Sequence, residues 1–117
     1  MGLKILMTAD AVGGVWQYAL ELSAALAGAG HTVILAVLGP APSSDQRRAA
    51  EQLAGVELRV TEWPLDWLSP GPEPVAQAAR ALARLARDER VDLIHCNMPT
   101  LAGAAEFPVP LLAVTHG

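Results

Sequence analysis

The residues best suited to chemistry in this chain sit in its turns. Asp10-Ala11-Val12-Gly13-Gly14 follows a short apolar run and precedes a helical pattern. Two glycines at a helix start leave the first backbone N–H groups unobstructed, and the helix dipole adds positive potential, an arrangement that receives an anion. The same pair equally suits an ordinary tight turn that needs glycine's backbone freedom. Asp10 either orients a ligand hydroxyl or bonds to the turn amides as a cap; beside a diphosphate its charge would repel. His95-Cys96-Asn97 is a second candidate cluster. Strand alternation sends His95 and Asn97 to one face and Cys96 to the other. Asn97 suits a ligand hydroxyl, whereas His95 reads as a core histidine with its hydrogen bonds met and Cys96, with no base or cation beside it, as packing.

Two further places carry unusual side chains. In Trp63-Pro64-Leu65-Asp66-Trp67-Leu68, two of the three tryptophans bracket an acid. Trp63 and Trp67 with Asp66 would offer a carbohydrate a flat stacking surface and a hydrogen-bond acceptor, or form a hydrophobic flap over a strand end. His116 stands one residue from the last position, either as a site group or as a frayed terminal side chain. Arg80, Arg84 and Arg87 share a helix face with Gln77; that face reads as solvated, with an anionic lipid as the lesser alternative.

Positioning these residues requires regular elements, and the hydrophobic pattern supplies them. Leu3–Met7 and Val33–Leu38 are nearly continuous apolar runs, as expected of strands buried on both faces. Between them Val15, Ala19, Leu22, Leu26 and Ala29 recur at helical spacing until Gly28 and Gly30 stop the helix. Ser43 and Gln46 form a capping box that opens a weak helix through Leu53. Val56–Val60 alternates apolar and polar residues, which suits an edge strand. A proline-rich loop from Trp63 to Pro74 leads to a helix whose inward face is Val75, Ala78, Ala79, Leu82 and Leu85. Asp92–His95 is a fourth strand, Met98–Ala105 contains a brief helix, and Leu111–Val114 is a fifth strand. Strands interleaved with helices predict a single Rossmann-like α/β domain spanning 1–117: a doubly wound, mostly parallel five-stranded sheet with helices on both faces. Its chemistry belongs at the strands' carboxyl ends.

Composition narrows the classes. The chain has 117 residues, 52% of them hydrophobic, enough apolar material for one compact core. A net charge of −4 with dispersed arginines argues against nucleic acid. One cysteine allows no internal disulfide, no Cys/His array suggests a metal, and no apolar run reaches the length of a membrane span. With no secretory signal at the start, a cytoplasmic setting is expected. The dinucleotide fingerprint needs three spaced glycines, whereas Gly13 and Gly14 are adjacent and followed by Trp16. No Gly-Lys-Ser/Thr step is present for a Walker loop. A phosphoacceptor receiver domain has this length and alternation but requires clustered acids and a late lysine, and Lys4 is the only lysine.

Asp10-Ala11-Val12-Gly13-Gly14-Val15, the following Gln17-Tyr18-Ala19-Leu20-Glu21-Leu22 helix and Gly30-His31-Thr32-Val33 resemble the opening of glycosyltransferase family 4. Asp92-Leu93-Ile94-His95-Cys96-Asn97 and Val114-Thr115-His116 are similar to that family's fourth- and fifth-strand segments. The resemblance implies the acceptor-side, amino-terminal half of a two-domain GT-B enzyme. Such an enzyme transfers a sugar from a nucleotide-sugar donor to a small-molecule, glycan or lipid acceptor with retention of configuration and usually without a divalent metal. By resemblance, Gly13 and Gly14 approach the donor diphosphate and His116 contacts the transferred sugar. Asp10, Asn97, Trp63, Asp66 and Trp67 remain acceptor-binding candidates. The donor-binding carboxyl-terminal domain is missing from these 117 residues, so the fragment alone is expected to be inactive. The alternative is a stand-alone, non-catalytic α/β module that binds a ligand or a protein.

Overall fold

The computed structural model describes residues 2–61 and 72–116. In chain order these form β1 (Lys4–Asp10), α1 (Gly14–Gly28), β2 (Thr32–Leu38), α2 (Ser44–Glu51), β3 (Val56–Val60), α3 (Pro72–Asp88), β4 (Leu93–Cys96), α4 (Pro99–Ala102) and β5 (Leu111–Ala113). All strand pairings are parallel, and the sheet order is β3-β2-β1-β4-β5. The expected doubly wound architecture is therefore present, with β3 and β5 at its edges.

Strand alternation divides the core into two layers. Leu6, Ile34, Ala36, Leu38, Ile94 and Cys96 face α3 and α4, where Ala78, Ala79, Leu82 and Leu101 meet them. Met7, Ala9, Val33, Leu35 and Val37 face the opposite way, against Trp16 and Ala19 of α1 and Ala50 of α2. Trp16 is thus a core residue. Val75 and Leu85 pack on the α3 side as the helical periodicity implies, while Gln77, Arg80, Arg84 and Arg87 are exposed. Ser23, the one hydroxyl on the buried face of α1, hydrogen-bonds the Met7 sulfur at 3.5 Å.

Several boundaries differ from the pattern, each for a local reason. β1 runs on to Asp10 because β2 pairs with it throughout, from Lys4 opposite Thr32 to Asp10 opposite Leu38. α3 starts at Pro72 rather than after Pro74. Proline is compatible with a helix's first turn, whose N–H groups have no partner within the helix. β4 is displaced by one residue, to Leu93–Cys96; Asp92 just before it bonds Lys4 twice, its backbone N–H donating to the Lys4 carbonyl at 2.7 Å and its carboxylate accepting the Lys4 N–H at 2.8 Å. α2 carries the full capping box, with Ser43 and Gln46 each satisfying the other's backbone N–H, and it ends at Glu51.

The two ends of the first strand–helix–strand unit are tied by the Gly30-His31 step. His31 Nδ1 accepts the Leu3 N–H at 2.9 Å, so its ring proton resides on Nε2. A side chain at Gly2 would place a Cβ 1.8 Å from the Gly30 carbonyl oxygen, which only glycine avoids.

Leu6 lies between Ile34 and Ile94 in the sheet register and is fully buried. Leu6→Ala is expected to cost about 2–5 kcal/mol of stability. Leu3→Ala, at a position left 44% exposed, should stay within about 0.5 kcal/mol. Urea denaturation midpoints at constant slope would check both.

Candidate functional site

The chain runs outward from β1 to β2 and β3, then returns to the other flank of β1 to make β4. The loops after β1 and β4 consequently diverge, and the carboxyl ends of these two neighbours frame an opening. The first loop delivers the glycine turn. Gly13 is the residue before α1, with φ 110° and ψ −164°, a conformation that disfavours any side chain. Gly14 is the first helical residue and does not have positive φ. A Cβ built on either glycine meets nothing within 4 Å. Gly13 is thus explained by its backbone, whereas neither strain nor crowding among the described residues explains Gly14.

The N-cap residue of α1, Gly13, offers no side-chain cap, and the first turn of the helix contains no acid. The positive end of the helix is presented at the sheet's carboxyl edge, with Asp10 the nearest acid in sequence. Asp10 takes the capping role within the turn, its Oδ1 accepting the Val12 N–H at 3.0 Å. From outside, Gln46 Nε2 donates to the Ala11 carbonyl at 3.1 Å, so the side chain that closes the α2 capping box also holds the turn.

The second loop delivers a buried polar cluster. Thr8, His95 and Asn97 are 1%, 7% and 8% exposed, all at the carboxyl ends of β1 and β4. Thr8 Oγ1 accepts the Asn97 N–H at 2.9 Å, and Asn97 Nδ2 donates to the Thr8 carbonyl, also at 2.9 Å. Asn97 Oδ1 lies 2.9 Å from His116 Nε2. His116 is seated rather than frayed: the Tyr18 ring meets it edge-on with centroids 4.8 Å apart. Tyr18 also lies 6.3 Å from the His95 ring. His95 departs from the expected satisfied core histidine, because its buried Nε2 has no hydrogen-bond partner. Burial pushes the His95 imidazole below its ordinary pKa; a hydrogen bond with Asn97 opposes this, and the nearby His116 charge adds to it. Cys96 is buried against Met98 and Thr8, and desolvation raises its thiol pKa, which keeps it inert.

Asp10, Val15, Asn97, Met98, Pro99, Thr115 and His116 line a cleft of about 210 Å³. The structure thus gathers Asp10, Asn97 and His116 beside the Gly13-Gly14 turn. Trp63, Asp66 and Trp67 lie outside the described residues. A larger groove of about 490 Å³ runs along the arginine face of α3, among Arg80, Arg84, Arg87 and Ala104 to Glu106. It is shallow and distant in sequence from every strand's carboxyl end, and the convergence of buried polar groups favours the smaller cleft as the site. Among the described residues, no three His, Cys, Asp or Glu side chains come together as a metal site would require. No helix there is long and apolar enough to cross a membrane.

Residues 12–117 match the family profile described as Glycosyltransferase Family 4. The chain belongs to glycosyltransferase family 4. No curated protein is significantly similar to it in sequence. Among solved structures it is similar to a glycosyltransferase from Rickettsia africae, with TM-score 0.70 and 19% identity over 96% of this chain and 29% of that one. It is also similar to LpCGTa in complex with UDP, with TM-score 0.64 and 17% identity over 97% of this chain and 30% of that one. A third likeness is to the C-terminal domain of a Pyrococcus furiosus hydrogenase, with TM-score 0.62 and 17% identity over 95% and 90% of the respective chains. At such identities the likeness is one of fold. The family 4 chain spans under a third of the length of the two transferase structures.

Three residues around the cleft were given no individual part in it by the sequence. Thr8 had a signal, as the polar residue within the buried stretch Ile5–Ala9. Tyr18 had a weaker one: it is the sole tyrosine and lies four residues after Gly14, one helical turn along the same face. Gln46 had none, because its contact with Ala11 spans 35 residues.

The lowered His95 pKa has a defined sign. Below about pH 6.5 the unfolded chain binds a proton that the folded chain resists, so stability falls as pH falls through that window. His95→Leu, which has nothing to protonate there, should flatten this part of the slope. Urea midpoints of parent and variant at pH 7.5 and 5.5 would measure it.

Proposed function

We propose that this family 4 domain is the acceptor-side half of a retaining, nucleotide-sugar-dependent glycosyltransferase that works in the cytoplasm. The donor nucleotide is held by a second domain facing the carboxyl edge of the sheet. The observation that carries this reading is Gly14: it has ordinary backbone geometry and open space where a side chain would be. An approaching group of the ligand accounts for the missing Cβ. The uncapped first turn of α1 beside it suits the diphosphate of a sugar donor, a chemistry that UDP bound to LpCGTa makes reasonable.

Glycosyl transfer builds charge on the departing diphosphate and on the sugar's anomeric carbon. Amides fixed by Gly13 and Gly14 meet the first charge without reorganising, which is where preorganised donors contribute most. Divalent metal is not required in this scheme. His116, across the cleft from the turn, contacts the transferring sugar, and Asp10 presents a carboxylate edge to an acceptor hydroxyl. The 117 residues alone, lacking the donor-binding half, turn over no nucleotide-sugar; robust hydrolysis or transfer by them would overturn the two-domain scheme. A second reading, a binding module without catalysis, draws on the comparable length of the hydrogenase domain with the same fold. It requires that the longest natural form of the protein bind a ligand without transferring sugar.

Two substitutions separate the roles of the glycines in the complete enzyme. Gly14→Ala should fold with stability within about 1 kcal/mol of the parent, yet lower transfer roughly tenfold or more by holding the diphosphate away. Gly13→Ala, at φ 110°, should lose about 1–3 kcal/mol of stability. Transfer unchanged in Gly14→Ala would remove the phosphate reading.

A further inference from the structure

The Asn97 side chain is engaged at both ends of its amide. Its Nδ2 donates to the Thr8 carbonyl at 2.9 Å, and its N–H is held by the Thr8 hydroxyl at 2.9 Å. A carbonyl oxygen only accepts, so the amide's nitrogen must face Thr8 and its Oδ1 must face His116. That oxygen also only accepts, and His116 Nε2 stands 2.9 Å from it. The proton of a neutral His116 therefore resides on Nε2.

We propose that Asn97 is a positioning residue: locked by Thr8, its amide holds the His116 ring against Tyr18 and leaves Nδ1, as a lone pair, for the ligand. The relay runs from the buried end of β1 through the residue after β4 to the third residue after β5, and its inner members are 1% and 8% exposed. Rigid burial at Thr8 is what gives the surface histidine a fixed orientation. Nδ1 has no partner among the described residues. The neutral ring consequently selects a hydrogen-bond donor: a sugar or acceptor hydroxyl fits, and a carbonyl oxygen does not. Protonation reverses this, because the imidazolium donates from both nitrogens. The assignment rests on His116 as the ligand-facing group of the proposed function, but the relay itself is a property of the folded chain.

The test is nitrogen-15 NMR of the histidine rings in the 117-residue chain across pH 5–9. In the parent, His116 at high pH should show a protonated Nε2 and a lone-pair Nδ1; a protonated Nδ1 there overturns the proposal without any variant. Asn97→Asp is nearly isosteric but loses the Nδ2 donor to the Thr8 carbonyl, and Asn97→Ala loses the whole amide; in each, the ring-current shift imposed by Tyr18 on His116 should collapse. A ring-current shift identical in parent and both variants would overturn the relay. Far-UV circular dichroism confirms folding of each variant, and the parent spectrum remains decisive if Asn97→Ala unfolds. These spectra report on the relay whether or not the domain transfers sugar, so failure of Gly14→Ala to impair transfer would remove the phosphate reading alone.

Discussion

A parallel sheet covered on both faces confines its polar chemistry to the edge where the strands end, and the hydrogen-bond demand of buried groups there organises this site. Thr8, His95 and Asn97 are, with Ser23, the buried polar residues among the described ones. Leaving any of their polar atoms unpaired costs on the order of 1–3 kcal/mol, more than one surface contact returns. Thr8 and Asn97 meet that demand with each other, and Asn97 Oδ1 passes it on to His116. The exposed histidine is thereby coupled to the most buried part of the sheet. The orphaned His95 Nε2 is the one place in this cluster where the demand is not met.

Across the cleft the glycine turn is built on the opposite principle. Its outward-facing amides are left without side-chain caps, while the rest of the loop is restrained by Asp10 from within and by Gln46 from α2. Restraint from both sides supports a preorganised anion site better than hydrogen bonds spent on the amides themselves would. The charge pattern agrees with this division of labour. Lys4 and Glu89 pair at 3.6 Å, and Arg59 engages both Glu57 and Glu89, which ties β1, β3 and the end of α3 together away from the cleft. Such partly exposed pairs contribute little each, and they leave the helix-dipole field at the carboxyl edge undisturbed.

Much of the fold was legible because periodicity reports burial directly. Runs such as Val33–Leu38 admit only a strand covered on both faces, and Val75 through Leu85 admit only a one-sided helix. Ser43 and Gln46 announced their cap through a local rule and made it. Boundaries were less legible where a distant partner sets them: β2 extends β1 to Asp10. Of the candidate site, the glycine turn, Asp10, Asn97 and His116 were visible as residue types in turns. Their assembly into one cleft and the part played by Tyr18 and Thr8 were not, because these contacts join residues as far as 89 positions apart.

The amino-acid sequence alone determined the alternation of strands and helices, the position of the glycine turn and the family, since each follows from local spacing and from short motifs in order. Tertiary structure decided the sheet order, and with it that β1 and β4 end side by side. It also decided that Asn97 bonds Thr8 and His116, contacts that its type and turn position do not reveal. Hydrogen-bond satisfaction depends on which groups fold into reach of one another, and periodicity along the chain carries no record of that.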